Sequence, residues 1–445
     1  MDDRKKAIVW LNSVFKEKSM KKLTPPRQFG PLSAARVISL ASVLMLPISL
    51  LAPKGIAPLF VITALLVIGL NFDRYLNYLK SPRFLSVLLG LCIAFVVLST
   101  FWSVTPSATF LSAMIFGLTC IGGLAIVLAA RQFTTEEHAL FTKATIYGGV
   151  IGIVFFSIEF AIDGSIKQIL SETFTSNIRP RISYDPSLNS GMAVYALYVW
   201  PWAVAMKKRL GFVALALALA VSIVAVAIGQ ATSPILALGI GLIVAAGVWW
   251  SEKLVTSLCA VFIIIGIFAM PYLPGSLPNP ETETHRLSFL SRSALHRLSI
   301  WNTVVDRMAE RPLLGFGMNT TRSLYSDKDK INRVYFPDNK RKKWYNFFEP
   351  IPLHAHNGIL QIWLELGIGG ALLLAAMVLS IIKFVRDSLR HLIWKAACMG
   401  LLTSSITIFS ISFGPWQSWW QATLWLLTGF MVALRNSTDA IKNNE

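Results

Sequence analysis

Apolar residues in this chain run in long blocks interrupted by short polar turns. They follow neither the stripe of a soluble amphipathic helix nor the alternation of a half-buried strand. The blocks are roughly 16 to 25 residues long, and about 20 helical residues cross the hydrocarbon of a bilayer. A backbone in hydrocarbon must satisfy its own hydrogen bonds, which leaves helices or a closed barrel. A barrel would show segments of about ten alternating residues. The pattern therefore predicts an all-α polytopic transmembrane bundle of about twelve spans. These lie near 33–51, 56–71, 84–101, 109–129, 141–161, 190–206, 210–228, 232–250, 254–272, 359–383, 393–412 and 415–434.

Composition agrees with that pattern. The chain of 445 residues is 54% hydrophobic and 14% charged, against about 25% charged in soluble domains. Its mean hydropathy is +0.59. Charge sets the expected orientation, because short cytoplasmic loops collect Lys and Arg. The polar start, residues 1–32, is too long and too basic for a cleavable signal peptide and reads as a cytoplasmic tail. The even connections then carry Arg74, Lys80 and Arg83; Arg131 and Lys143; Lys207, Lys208 and Arg209; Lys253; and Lys383, Arg386, Arg390 and Lys395. The short odd connections at 102–108, 229–231 and 413–414 carry no Lys or Arg. Both termini are expected in the cytoplasm, with residues 435–445 as a second tail. The spans are expected to group as 33–272 and 359–434 around a large outer loop, 273–358, that contains helices.

That loop holds thirteen Lys or Arg from Arg286 to Lys343 against eight Asp or Glu. The net charge of +18 is split between the two membrane faces and accompanied by no recognition motif, which argues against nucleic acid. It suits contact with membrane lipids. Cys92, Cys120, Cys259 and Cys398 all fall inside proposed spans and read as packing residues.

Three stretches expected on the outer side hold polar residues out of keeping with a lipid bundle. Residues 177–191 place Arg179 and Arg181 around Pro180, before Asp185 and Pro186. A guanidinium fork suits paired phosphate oxygens, although headgroup contact would account for these arginines too. The segment from 294 to about 310 fits an amphipathic helix on which Leu298, Trp301, Val305 and Met308 recur at helical spacing. It carries Arg297 four residues from Trp301, with Arg292 and His296 as weaker candidates, and leads into Arg311-Pro-Leu-Leu-Gly-Phe-Gly317. The third stretch, 352–367, contains His354, His356 and Asn357, then Gln361 and Glu365 along one side of a helix entering the membrane. A buried ionisable residue there is a functional or packing feature by default. Two histidines without further ligands argue against a metal site. An imidazole titrating near neutrality suits a general base, and a helix-capping or anchoring role is the alternative. Guanidinium groups beside a histidine suit a lipid-linked pyrophosphate. No Walker motif or dinucleotide fingerprint is present, so no cofactor is expected and the energy would reside in the donor's phosphate ester.

The pieces RISYDPSLN at 181–189, HRLSIW at 296–301, RPLLGFG at 311–317 and HAHNGILQIWLELGIGG at 354–370 resemble the O-antigen ligase and polymerase superfamily. The resemblance implies a bacterial inner-membrane glycosyltransferase with a C-type (GT-C-like) fold and a periplasmic active site. It implies metal-independent inversion at the anomeric carbon of a glycan carried on undecaprenyl pyrophosphate. His356 resembles the catalytic histidine, Arg181 and Arg297 the arginines that bind the donor pyrophosphate, and Asn357 and Glu365 supporting positions. Tyr184, where a small residue is more usual, and the extra His354 depart from the pattern. Of the two activities, the ligase is favoured, with lipid A-core as acceptor; the polymerase, which joins repeat units, has the same parts. Other polysaccharide assembly proteins are candidate partners. A transporter would show paired broken helices or inverted repeats, which the spans lack.

Overall fold

A computed structural model of the protein describes residues 32–79, 84–174, 189–279, 284–287, 289–290, 292–325, 332–338, 341–347 and 354–435. The helices in chain order are α1 (Ala34–Leu51), α2 (Ile56–Leu79), α3 (Phe84–Leu98), α4 (Pro106–Ala130), α5 (Thr135–Ala161), α6 (Ser165–Phe174), α7 (Asn189–Leu210) and α8 (Phe212–Ile228). They continue with α9 (Thr232–Ala269), α10 (Leu273–Ser276), α11 (Arg292–Met308), α12 (Gly358–Ser388), α13 (Leu392–Ile411) and α14 (Ser418–Leu434). The apolar runs read from the sequence all fall on helices. The large loop also holds an antiparallel hairpin, β1 (Asn332–Asp338) with β2 (Arg341–Phe347), in which Tyr335 pairs with Trp344. Only helices were expected there.

The protein is an all-α polytopic membrane bundle. Among the described residues, eight helices are long and apolar enough to cross a membrane, against the twelve spans expected. The difference has three sources. Thr232–Ala269 is one stretch of 38 residues, yet Ser251 inside it is not helical (φ −150°, ψ 91°). A β-carbon on Gly247 would lie 3.0 Å from the Val255 side chain, whereas eight residues of straight helix span about 12 Å. The chain therefore folds back at Ser251. Helices α8 and α14 have only 17 residues each. Helix α7 ends in Lys207, Lys208 and Arg209 and is rich in aromatic residues, so its hydropathy is low.

The physical reason for α7's composition is its position. Every residue from Gly191 to Ala205 is buried, so α7 packs against protein where a peripheral helix packs against lipid. Trp200 lies where a β-carbon on Gly400 of α13 or Gly241 of α9 would collide with its ring, and Trp202 stands likewise against Gly149 of α5. Small residues let helices approach closely where lipid supplies no hydrophobic drive. Tyr198 ties the hub to α1 and α5: its hydroxyl donates to the Ser42 carbonyl at 3.0 Å and lies 2.8 Å from the Ser42 hydroxyl, with the Thr145 carbonyl at 3.2 Å.

Contacts gather the connections at two ends. At one end the α3–α4 turn meets the stretch after α11. Trp102 Nε1 donates to the Leu314 carbonyl (2.9 Å), Val104 N to Phe316 O (3.1 Å), and Thr109 Oγ1 to Met318 O (2.8 Å). Ser412 after α13 bonds Ser233 at the start of α9 (2.5 Å). Trp363 Nε1 donates to the Ile267 carbonyl near the end of α9 (2.8 Å). At the other end Lys395 pairs with Glu252 (2.5 Å), His138 Nδ1 lies 2.6 Å from the Ala433 carbonyl, and Lys208 Nζ donates to Leu434 O (2.7 Å).

Candidate active site

The third polar stretch and α11 meet at the first of these ends. The apolar face of α11, with Ile300, Val304 and Met308 buried, packs on Ile359, Leu360, Trp363 and Leu364 of α12. This brings Arg297 to the segment before α12. The centres of the His354 and His356 rings are 4.2 Å apart, and the His296 ring centre lies 6.5 Å from that of His356.

Four interactions fix His356. Asn357 caps α12: its Oδ1 accepts from Ile359 N and Leu360 N, both at 3.0 Å, and its amide nitrogen reaches Met270 Sδ at 3.3 Å. Trp301 Nε1 donates to the Ala355 carbonyl (3.1 Å), so α11 holds the loop directly. The main-chain N–H of His356 donates to His354 Nδ1 (3.1 Å). Nδ1 of His356 lies 3.1 Å from the Ser412 carbonyl. His356 has a φ of +52°, a left-handed conformation that costs a residue with a side chain of order 1–3 kcal/mol and persists where the surroundings over-determine it.

These bonds determine the proton positions. A carbonyl only accepts, so Nδ1 of His356 carries the hydrogen and its Nε2 keeps a lone pair. His354 Nδ1 accepts from a main-chain N–H, so the hydrogen of that ring is on Nε2. Burial first, then the Arg297 charge, with a smaller effect of His296, lowers His356 to about 4 against the raising effect of the Ser412 bond. Burial, then His356 and Arg297, lowers His354 to about 3. Both rings are therefore neutral at pH 7. Arg297 is half-buried and takes part in none of the ion pairs among the described residues. A neutral base with a free lone pair thus stands beside an uncompensated guanidinium. That arrangement can accept a proton from a hydroxyl and hold an anion.

Glu365 is fully buried in α12. Its carboxylate accepts from Asn319 N (2.6 Å), Thr321 N (3.1 Å), Gln361 Nε2 (3.0 Å), the Thr321 hydroxyl and Trp416 Nε1. It ties the segment after α11 and the turn before α14 to α12. The same place explains the glycines of 311–317. Gly367 (φ +60°, ψ −157°) breaks α12 and frees carbonyls that the segment then fills. Phe316 N donates to Leu364 O (3.1 Å), Gly317 N to Glu365 O (2.8 Å), and Ile368 N to Pro312 O (2.9 Å). A β-carbon on Gly315 would strike the Glu365 carbonyl, and one on Gly367 the Leu313 carbonyl.

The structure thus brings together His354, His356, Asn357, Arg297 and Trp301, with Gln361 and Glu365 beneath them. Trp301 and Asn357 spend their polar atoms on the loop and on the α12 cap. Arg179 and Arg181 lie outside the described residues, and Arg292 sits one turn before His296 on α11. Ser412, Ser233 and Trp416 carry contacts the sequence reading missed. The Ser412 contact is a main-chain one and leaves no residue signature, whereas a carboxylate in an apolar span called for nearby donors and could have pointed to the 311–321 segment. Among the described residues no three His, Cys, Asp or Glu side chains form a metal-holding group.

Fold and site together define a many-helix membrane protein with one polar, histidine-bearing end. Residues 215–375 match the O-antigen ligase family, Wzy_C, a stretch that takes in α11, the large loop and the first half of α12. The chain is 28% identical over 308 residues to the "Putative polysaccharide ligase" of Rickettsia conorii, covering 68% of each protein. Proteins of the same description from Rickettsia bellii and Rickettsia typhi are 26% and 24% identical, over 64% and 71% of this chain and 65% and 73% of theirs. The chain is thus similar to Wzy_C-type O-antigen ligases over residues 215–375 and to these polysaccharide ligases over about two thirds of its length.

Proposed function

We propose that this protein is an O-antigen ligase. It transfers a polysaccharide from undecaprenyl pyrophosphate to a sugar hydroxyl of lipid A-core at the periplasmic face of a bacterial inner membrane. The observation that carries the reading is His356: its Nδ1–H is held by the Ser412 carbonyl and its Nε2 keeps a lone pair beside Arg297, which has no ion-pair partner among the described residues. Nε2 takes the acceptor's hydroxyl proton, and the oxygen attacks the anomeric carbon from the side opposite the phosphate. The carbon–oxygen bond to phosphate breaks, its electron pair leaves with the diphosphate, and configuration inverts. Arg297 and Arg181 neutralise the leaving group, with Arg179 and Arg292 as further donor contacts. His354 lines the acceptor side, while Asn357, Trp301, Gln361 and Glu365 hold the framework. The step as written uses no metal.

The reading includes a twelve-span topology with a GT-C-like bundle. Ser251 divides α9 in two, and α7, α8 and α14 join the eight apolar helices as spans. The histidine end then faces the periplasm, both termini face the cytoplasm, and 273–358 is the periplasmic loop between 33–272 and 359–434.

The test is reconstitution of the purified protein with an undecaprenyl-pyrophosphate-linked glycan and two competing acceptors, lipid A-core and free repeat units. Glycan on lipid A-core is expected. Extension of repeat units alone makes the protein a polymerase, and transfer to neither acceptor overturns the proposal.

A further inference from the structure

Resting on the transferase reading above, we infer that His296 serves the departing diphosphate, opposite the base. An inverting displacement needs its two proton-handling groups on opposite sides of the anomeric carbon. In inverting glycoside hydrolases the two carboxyl groups that play these parts stand about 6.5–9.5 Å apart, which leaves room for the reacting groups between them. The ring centres of His296 and His356 are 6.5 Å apart, tilted by 54°. His354 does not meet this requirement: its ring centre is only 4.2 Å from that of His356, and its Nδ1 already accepts the His356 main-chain N–H. His296 also adjoins Arg297 on α11, the side on which the diphosphate binds.

Its environment then decides when it carries a proton. Burial, and after it Arg297, keeps His296 below the ordinary histidine range. Among the described side chains, the titratable and charged groups on this side of it include Arg297 on its own helix and His356 on the segment facing it, with His354 beside His356. A diphosphate esterified at both ends brings two negative charges into this cluster. An opposite charge within about 4–6 Å favours the imidazolium, so donor binding draws a proton from solvent onto His296.

The transfer step then balances. The acceptor's proton passes to His356 Nε2 as its oxygen bonds the anomeric carbon. The bond from that carbon to the phosphate oxygen breaks, and the electron pair goes to that oxygen. The imidazolium of His296 gives its proton to the departing diphosphate. His356 afterwards releases its proton to solvent, and the net change moves one hydrogen from acceptor to leaving group.

Calorimetric titration of the detergent-purified full chain tests this, using a short polyprenyl-diphosphate-linked N-acetylglucosamine, which has no group titrating near neutrality. Binding at pH 7.5 is measured in two buffers of different ionisation enthalpy. Uptake of about one proton per ligand is expected for the wild type. The same uptake is expected for His356→Ala and His354→Gln, and almost none for His296→Gln. Binding by the wild type without uptake overturns the role of His296 and leaves the donor assignment standing. Undiminished uptake in His296→Gln, shown folded by an unchanged elution volume and melting profile, overturns it equally. If the wild type binds no such ligand, the transferase reading fails and the inference fails with it.

Discussion

The two ends of the bundle treat buried charge in opposite ways. At the α9 fold-back end, Lys395 is paired with Glu252, and Lys208 and His138 meet the last carbonyls of α14. At the histidine end, Arg297 has no carboxylate partner among the described residues, and three imidazoles crowd around it. The buried carboxylate of this end, Glu365, is saturated by five donors, four from the loops it holds and one from Gln361 on its own helix. A paired charge locks helices together, and removing one partner strands the other. An unpaired, half-buried cation costs stability that a ligand's charge can return. The first end is built to stay closed, the second to receive an anion.

The largest loss of transfer is expected at His356. Replacing it with Ala removes the base and leaves the Asn357 cap and the Glu365 network untouched. Transfer is expected to fall about 100-fold to 10,000-fold, with the melting temperature in detergent nearly unchanged. Wild-type turnover in a correctly inserted His356→Ala protein would remove the base from the mechanism. Arg297→Lys keeps the charge and loses the fork. Hydrogen bonds to charged groups are worth about 1.5–3 kcal/mol, so donor affinity should drop roughly tenfold to a hundredfold. Equal binding by the two proteins would mean that Arg297 acts as a point charge only.

The sequence disclosed these two ends unequally. Apolar blocks located the helices because hydrocarbon leaves the backbone so few choices, and His356 and Arg297 stood out because polar groups are scarce beside such blocks. The span count was harder to read. Helix α7 looks least like a membrane helix because protein surrounds it, and Ser251 breaks α9 without a proline or glycine at the break. The bonds that set the chemistry were hidden for another reason. Those to the Ser412 and Ala355 carbonyls involve main-chain atoms, which every residue possesses. Glu365 was visible as an anomaly in an apolar span, while its main-chain donors, Asn319 and Thr321, came from a loop more than forty residues away in sequence.

A smaller effect is expected at Trp301. Trp301→Phe keeps an aromatic ring between α11 and the loop but removes the donor to the Ala355 carbonyl. A hydrogen bond of this kind contributes about 0.5–1.5 kcal/mol, and here it holds a loop whose next residue has a positive φ. Turnover should fall about twofold to tenfold with KM for the donor unchanged, because the base is displaced while the anion site remains. A rise in KM at constant turnover would instead make Trp301 a substrate contact.

The least effect on transfer is expected at the opposite end. Lys395→Met removes the cation whose side chain is 10% exposed and leaves Glu252, 26% exposed, without its partner. The loss of a fully buried partner costs about 3–5 kcal/mol. Partial exposure lets water reach Glu252, so about 1–3 kcal/mol is expected here, read as a lower melting temperature of the purified protein. Transfer by the folded fraction should stay within about twofold of wild type, since no bond of the histidine cluster passes through Lys395. A large loss of turnover with unchanged melting would show that the fold-back of α9 at Ser251 communicates with Ser233 at its other end, and through the Ser412 carbonyl with His356. The two ends would then be one coupled device rather than a lock and a receptor.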